Sequence, residues 1–458
     1  MRQALRRDPP PMSDIASPAA PRVIGHRRVL AIALPIVLSN ATTPILGAVD
    51  TGVIGQLGAA APIGAVGIGA VVLTAIYWIF GFLRMGTAGL TGQAHGAGNT
   101  AEVAAMLTRG LMIAGAAGLG LIALQYPLFA GAFRVAPASE EVETLARGYM
   151  AIRIWSAPAA IAVYAITGWL IALERTRSVL VIQVWMNGVN ILLDLVFVLG
   201  LGMGVGGVAA ATVIAEWSGV LLALWLCRAA FRVPAWRDWA RVFDRPRLKR
   251  MAAVNTDILI RSLLLQTIVV SFMFFGSDFG DVQLAANQVL FQFLNITASA
   301  LDGFAFAAEA LIGQAFGARD PARVRRGLRF TALWGLITAA LLALAFGLGG
   351  PAIIDVMTTA EPVREAARHY LFWMVIAPLT GLTSWMLDGA FIGATRTRDM
   401  RNMMVLSVLG YYAAVAVLMP LYGNHGLWAA LNLSYALRGL TLGLRYPALE
   451  RSAVHGAD

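Results

Sequence analysis

The sequence predicts an all-α integral membrane protein, with twelve transmembrane helices in two six-helix lobes related by a parallel internal repeat. Three observations lead there. Only 13% of the 458 residues are charged and 59% are hydrophobic, whereas about a quarter of a soluble domain is charged. Twelve apolar windows reach the length of about 20 residues that a helix needs to cross the hydrocarbon core. Two motifs also recur at one offset: "LTGQAHGAGN" at 90–99 returns as "LIGQAFGARD" at 311–320, and "GWLIALERTRS" at 168–178 as "GAFIGATRTRD" at 389–399, both 221 residues on.

Residues 1–28 are charged like the start of a signal peptide but have no apolar core behind them, so a disordered cytoplasmic tail without cleavage is expected. The N-lobe, 29–230, holds spans near 29–56, 64–88, 105–130, 145–172, 179–202 and 206–230. A connector at 231–250 carries seven basic and two acidic residues, with Trp236 and Trp239 suited to a membrane interface. The C-lobe, 251–445, holds spans near 251–276, 284–312, 328–348, 364–392, 402–421 and 425–444, and 446–458 is a cytoplasmic tail. Six spans per half is an even number, so both halves enter the membrane with the same orientation and are related by an axis along its normal.

The net charge of +10 is a topology signal. With the N-terminus in the cytoplasm, the tails and cytoplasmic loops hold 27 of the 35 Lys and Arg, as the positive-inside rule requires. A nucleic-acid partner is therefore not expected. Cys227 is the sole cysteine and is expected to be inert packing, and no Cys/His cluster has metal-ligand spacing. The Gly-rich stretches lack the order of a P-loop and read as tight turns. Lys249 is the sole lysine, a composition that points to a GC-rich bacterium and its cytoplasmic membrane.

Against this apolar background Asp50, in "ILGAVDTGVIG", demands a reason, because a carboxylate at that depth costs a few kcal/mol. Its counterpart in the repeat is Ser271, and Asp194 has Val415, so only the N-lobe carries these acids. Measured from the expected outer helix ends, Asp50, Asp194 and Thr212 all lie roughly 9 to 12 Å below the outer surface. Asn190, one turn before Asp194, shares its face. Two carboxylates, an amide and a hydroxyl at one depth make a candidate cation site, and hard oxygen ligands suit H+ or Na+.

The stretches "PIVLSNATTPILGAVDTGVIGQLG", "GFLRMGTAGLTGQAHGAGN", "NGVNILLDLVFVLGLGMGVGGVAAATVIAEW" and "LAANQVLFQFLNITASALDGFAFAAEALIGQAFGARD" resemble the DinF-type branch of the MATE (multidrug and toxin extrusion) transporters, over about residues 25–445. The resemblance implies a two-lobed antiporter, not an enzyme, that exports cationic or amphipathic drugs against Na+ or H+ without another cofactor. It puts the coupling acid on Asp50, its fifth-helix partners on Asn190 and Asp194, the sixth-helix threonine on Thr212 and a helix-bending proline on Pro35. Where family members often carry asparagine in the fourth helix, this chain has Val163, Tyr164 and Thr167.

Neutralising a close carboxylate pair changes the favoured helix packing, and Pro35, unable to donate to the helix ladder, supplies a bending point. Tyr164, with Thr43 and Thr167, is expected to line the substrate cavity, since aromatic faces attract organic cations. Arg84, Glu216, Arg261, Asp302, Glu309 and Asp388 are expected to form structural ion pairs, Arg261 with Asp302 or Asp388. The partners expected are small organic cations or amphipathic drugs and membrane lipid, with the chain acting as a monomer. The alternative is a lipid-linked precursor flippase of the same superfamily fold, holding a pyrophosphate with Arg84 and Arg261. An integral-membrane transferase should show paired Asp-x-x-x-Asp motifs, and none is present.

Overall fold

A computed structural model describes residues 23–56, 60–135 and 139–454, except for the side chains of 43–46, 48, 51 and 135. Twelve long helical rods make up most of the described residues, with a short helix, Gln125–Val135, between the third and the fourth. The first six are α1 (His26–Gly55), α2 (Ala60–Gly96), α3 (Thr100–Ala123), α4 (Glu140–Ala172), α5 (Thr176–Gly200) and α6 (Gly204–Leu226). The second six are α7 (Arg245–Ser277), α8 (Asp281–Gly317), α9 (Pro321–Met357), α10 (Glu361–Gly393), α11 (Thr397–Tyr422) and α12 (Asn424–Ser452). Ten of them are long and apolar enough to cross a membrane; α1 and α12, of 30 and 29 residues, accompany them. Side chains such as Val71, Leu119, Leu344 and Leu409 are more than half exposed on the rods, which is the surface that lipid covers.

Three rods are not α-helical throughout. Short 3-10 turns interrupt α2 at Ile79–Gly81 and α4 at Ile154–Ser156, and α5 ends in a π-helical stretch, Leu195–Gly200. The connector is a chain of short helical turns, with Trp239 exposed and stacked on Phe243. Its last six residues belong to α7, and α12 runs past 445 into the expected tail.

The repeated Gly-rich motifs are tight turns. Gly98 and Arg319, 221 residues apart, both adopt left-handed backbone with φ of 71° and 56°. The next residues, Asn99 and Asp320, cap α3 and α9 by accepting from the backbone N–H of Glu102 and Arg323 at 3.0 Å. The polar ends of both motifs are thus consumed by backbone capping.

α1 is one continuous helix through Pro35, which is buried. Proline has no N–H to return to the carbonyl four residues back, and the Thr176 hydroxyl takes up that Ala31 oxygen at 3.3 Å. On the same stretch α8 approaches so closely that a Cβ on Gly303 would fall 2.8 Å from Ala33 O and 2.4 Å from Val37 Cγ2. Only glycine allows that crossing.

The lobes are joined at the arginine-rich end. There α2 and α8 cross at Gly92 and Gly313, where a Cβ on the former would stand 3.4 Å from the Cα of the latter. The two motif glutamines brace the crossing reciprocally: Gln93 Nε2 donates to Gly393 O (3.1 Å) and Gln314 Nε2 to Ala172 O (2.8 Å). Ala172 and Gly393 end α4 and α10, whose last carbonyls need donors. Toward the opposite end the C-lobe has a core of its own, through Ile268, Phe272, Phe291, Met374, Tyr411 and Trp428, with no N-lobe member among the described residues.

Candidate functional site

Asp50 stands five residues before the end of α1, Asp194 closes the α-helical part of α5, and Thr212 lies eight residues into α6. The structure brings them together. The Asp50 and Asp194 carboxyls lie within hydrogen-bond reach of each other. With its amide nitrogen turned to these acids, as the network requires, Asn190 donates to Asp50 Oδ1 at 3.1 Å and Asp194 Oδ2 at 3.3 Å. Its oxygen then accepts from the Thr212 backbone N–H at 3.3 Å, while the Thr212 hydroxyl donates to Val208 O at 2.9 Å.

Asp194 is fully buried, Asn190 and Thr212 nearly so, and Asp194 Oδ1 meets no hydrogen-bond donor among the described residues. Two negative charges in contact at such a place are unfavourable. A proton or a small monovalent cation relieves them. The π-helical stretch that follows Asp194 widens the turn next to these ligands, a device often found at functional sites.

α5 carries more of the site than expected. Gln183, Asn187, Asn190 and Asp194 follow one another at intervals of four, three and four, so they share one face. Asn187 Nδ2 donates to Thr42 Oγ1 at 2.9 Å and Gln183 Nε2 to Asn187 Oδ1 at 3.0 Å. This polar stripe faces α1 below Asp50. Its spacing was readable in "IQVWMNGVNILLD"; its partner helix was not.

One turn deeper, Glu216 on α6 receives both arms of Arg153 from α4, at 2.9 and 2.7 Å. Arg153 went unnoticed in the sequence, although an unexplained Glu216 in an apolar span already called for a buried cation. Tyr77 presents its ring 5.7 Å from this guanidinium, and the charge of Arg153 reaches both Asp50 and Tyr149. Tyr164 and Thr167 are half-buried on α4; Tyr164 stands within electrostatic reach of Glu216 and Arg84, outside the hydrogen-bonded carboxylate cluster. Thr43 falls outside the residues whose side chains are described.

Of the remaining intramembrane charges, Arg84, Arg261, Glu309 and Asp388 pair, whereas Asp302, also expected to pair, forms no salt bridge among the described residues because packing gives Arg261 to Asp388 and Arg84 to Glu309. Arg84 Nη1 donates to Glu309 Oε2 at 3.2 Å across the lobe boundary and lies 3.8 Å over the Phe306 ring. Arg261 binds Asp388, one of its two expected partners. Arg438 approaches the same carboxylate at 3.7 Å and donates to Ser384 Oγ at 2.8 Å.

A duplicated bundle with one acidic cluster in its first half defines a two-lobed membrane transporter. The MatE family profile matches residues 35–196 and again 258–418, once per lobe, and the chain belongs to the MATE family. Its DinF-type branch is indicated by "DNA damage-inducible protein F" of Escherichia coli K12, 40% identical over 90% of both chains. A "Probable multidrug resistance protein NorM" of Bradyrhizobium diazoefficiens is 26% identical over 93% of this chain and 94% of its own. Among solved structures, the Vibrio cholerae MATE transporter VcmN in the bent form shares the fold with a TM-score of 0.83 at 20% identity, covering 93% of this chain and 97% of that one. A MOP superfamily transporter from Pyrococcus furiosus does so at 0.81 and 17%, over 96% and 98%.

Proposed function

We propose that this protein exports organic cations or amphipathic compounds from a bacterium, driven by entry of H+ or Na+ at Asp50 and Asp194. It lies in the cytoplasmic membrane with the arginine-rich face and both termini inside, and works as a monomer. The observation that carries the reading is the contact of the half-buried Asp50 carboxylate with the buried Asp194, bridged by Asn190 onto Thr212. The name NorM among its relatives supports multidrug substrates.

Binding of a cation removes one unit of charge from the point where α1, α5 and α6 meet. The packing that best separates Asp50 from Asp194 is then no longer favoured, and α1 moves relative to α5. Pro35 and the stretch of α1 at Ala33 and Val37 that α8 clamps through Gly303 lie about four turns from Asp50, so motion there alters the lobe contact. A ligand shifts such an equilibrium only by its difference in affinity between the two states; here that difference is the relief of like charge. Tyr164, with Thr167, lines the path of the exported compound.

Arg84 and Arg261, which a flippase needs for a pyrophosphate, are held by Glu309 and Asp388, and this favours the exporter. The test is efflux of a fluorescent lipophilic cation from proteoliposomes under an imposed pH gradient, then a Na+ gradient. Efflux should follow one gradient and vanish in Asp50→Asn and Asp194→Asn. Coupled efflux that survives Asp50→Asn would sink the reading, and no efflux by intact protein would turn attention to lipid.

A further inference from the structure

The arginine-rich junction contains two similar braces, although the 221-residue offset carries Arg28 to Lys249 and the second arginine, Arg250, stands one place further on. In the first, Arg28, near the start of α1, donates to Gln314 Oε1 at 3.1 Å and to Glu174 Oε2 at 2.9 Å. In the second, Arg250, near the start of α7, donates to Gln93 Oε1 at 2.7 Å and to Thr395 Oγ1 at 3.3 Å. Glu174 and Thr395 are 221 residues apart and both left-handed, with φ of 58° and 51°. The repeat has therefore kept the turn and replaced the carboxylate with a hydroxyl.

Beside the second brace opens a cavity of about 300 Å³, lined by Arg109, Arg247, Arg250 and Arg319, with Glu102 the one acid among its described lining residues. That acid is already shared: Arg109 binds it at 2.6 Å, Arg247 contacts it and Arg241 approaches at 3.8 Å. Arg109 is almost completely buried and also holds the connector through Val242 O (2.9 Å) and Arg241 O (2.6 Å). Its position does not depend on a ligand. Phe316 supplies an apolar floor.

We propose that this cavity binds a phosphate-bearing anion, either a phospholipid headgroup or a soluble phosphate. Guanidinium groups arriving from separate segments match the several oxygens of a tetrahedral anion, and forked charge-assisted hydrogen bonds to phosphate are what arginine does best. Basic pockets between helices at the cytoplasmic surface have the same chemistry. Arg109 belongs to the N-lobe and Arg319 to the C-lobe, so a bound phosphate favours the arrangement in which this end is closed. That last consequence rests on the transport reading; the binding itself does not.

The experiment is the thermal midpoint of the full-length protein in detergent as inorganic phosphate replaces chloride at constant ionic strength, repeated in phosphatidylcholine nanodiscs with and without phosphatidylglycerol. Phosphate should stabilise the native protein, with binding about tenfold weaker in Arg319→Gln and in Thr395→Glu, the latter placing at 395 the acid that position 174 carries. Phosphate stabilisation that disappears once phosphatidylglycerol is present supports a lipid headgroup as occupant; equal stabilisation in both discs supports a soluble phosphate. No effect beyond that of chloride, or one that both variants retain, overturns the proposal. Because midpoints are read without transport, failure here leaves the ion-coupled export reading untouched.

Discussion

In the N-lobe, Asp50 and Asp194 meet each other and share an asparagine; in the C-lobe, Asp388 sits against Arg261 and Arg438, and Glu309 receives Arg84. Both sets lie in apolar helices descended from one repeat, yet their charge balance differs. A carboxylate matched by arginine already has its counter-charge. The acid pair of the N-lobe becomes neutral only by taking up something from outside. Glu309 and Asp388 are thus matched by arginine, whereas Asp50 and Asp194 face each other.

The widest gap between the lobes should appear on removing a carboxylate from each. Asp388→Asn leaves Arg261 and Arg438 buried without their counter-charge and should destabilise by about 3–5 kcal/mol, seen as a lowered thermal midpoint. Asp194→Asn should leave the midpoint near the native value while abolishing coupled efflux. Equal destabilisation by the two would erase the distinction between structural and coupling acids.

Next in size is the junction that both lobes build. A Cβ on Gly96 would lie 1.9 Å from Gln314 O, and one on Gly317 2.0 Å from Gln93 O, so the backbones must part. Gly96→Ala and Gly317→Ala should each cost about 1–3 kcal/mol, and by the same amount. Clearly unequal midpoints would show that the pseudo-symmetry does not extend to the energetics of this crossing.

A smaller effect is expected at the ion pair beneath the carboxylates. Glu216→Gln takes away the acid that holds both arms of Arg153, and the guanidinium is then free to compete with the coupling ion for Asp50. Coupled efflux should fall about tenfold, the rate equivalent of roughly 1.4 kcal/mol, and Glu216→Asp should recover part of it. Unchanged efflux in Glu216→Gln would make the pair purely structural. Least of all, Asn187→Ala loses the bond to Thr42 and should lower stability by about 1 kcal/mol, with coupling preserved in the efflux assay.

Much of this was legible in the chain. Helix number, lobe division and the repeat followed from apolar length and a constant offset, because a membrane leaves the backbone few alternatives to helices. That Asp50, Asp194 and Thr212 stand at one level followed from helical rise alone, since each rod must cross the same slab. The face shared by Asn190 and Asp194 followed from helical periodicity.

What the sequence could not contain was the choice of neighbour. Rise and periodicity locate a side chain on its own rod, whereas contact depends on how rods cross, and that is settled by side chains on both. So Arg261 was left between Asp302 and Asp388 until packing brought it to Asp388, and Arg153 became visible only when α4 laid it against Glu216. The left-handed turn at 395 looks like its twin at 174 in the primary structure; only the folded junction shows that the exchanged residue opens onto a cavity ringed with arginine. Composition and periodicity determined which helices form and how deep their charges lie, and tertiary packing alone decided which of those charges are already matched.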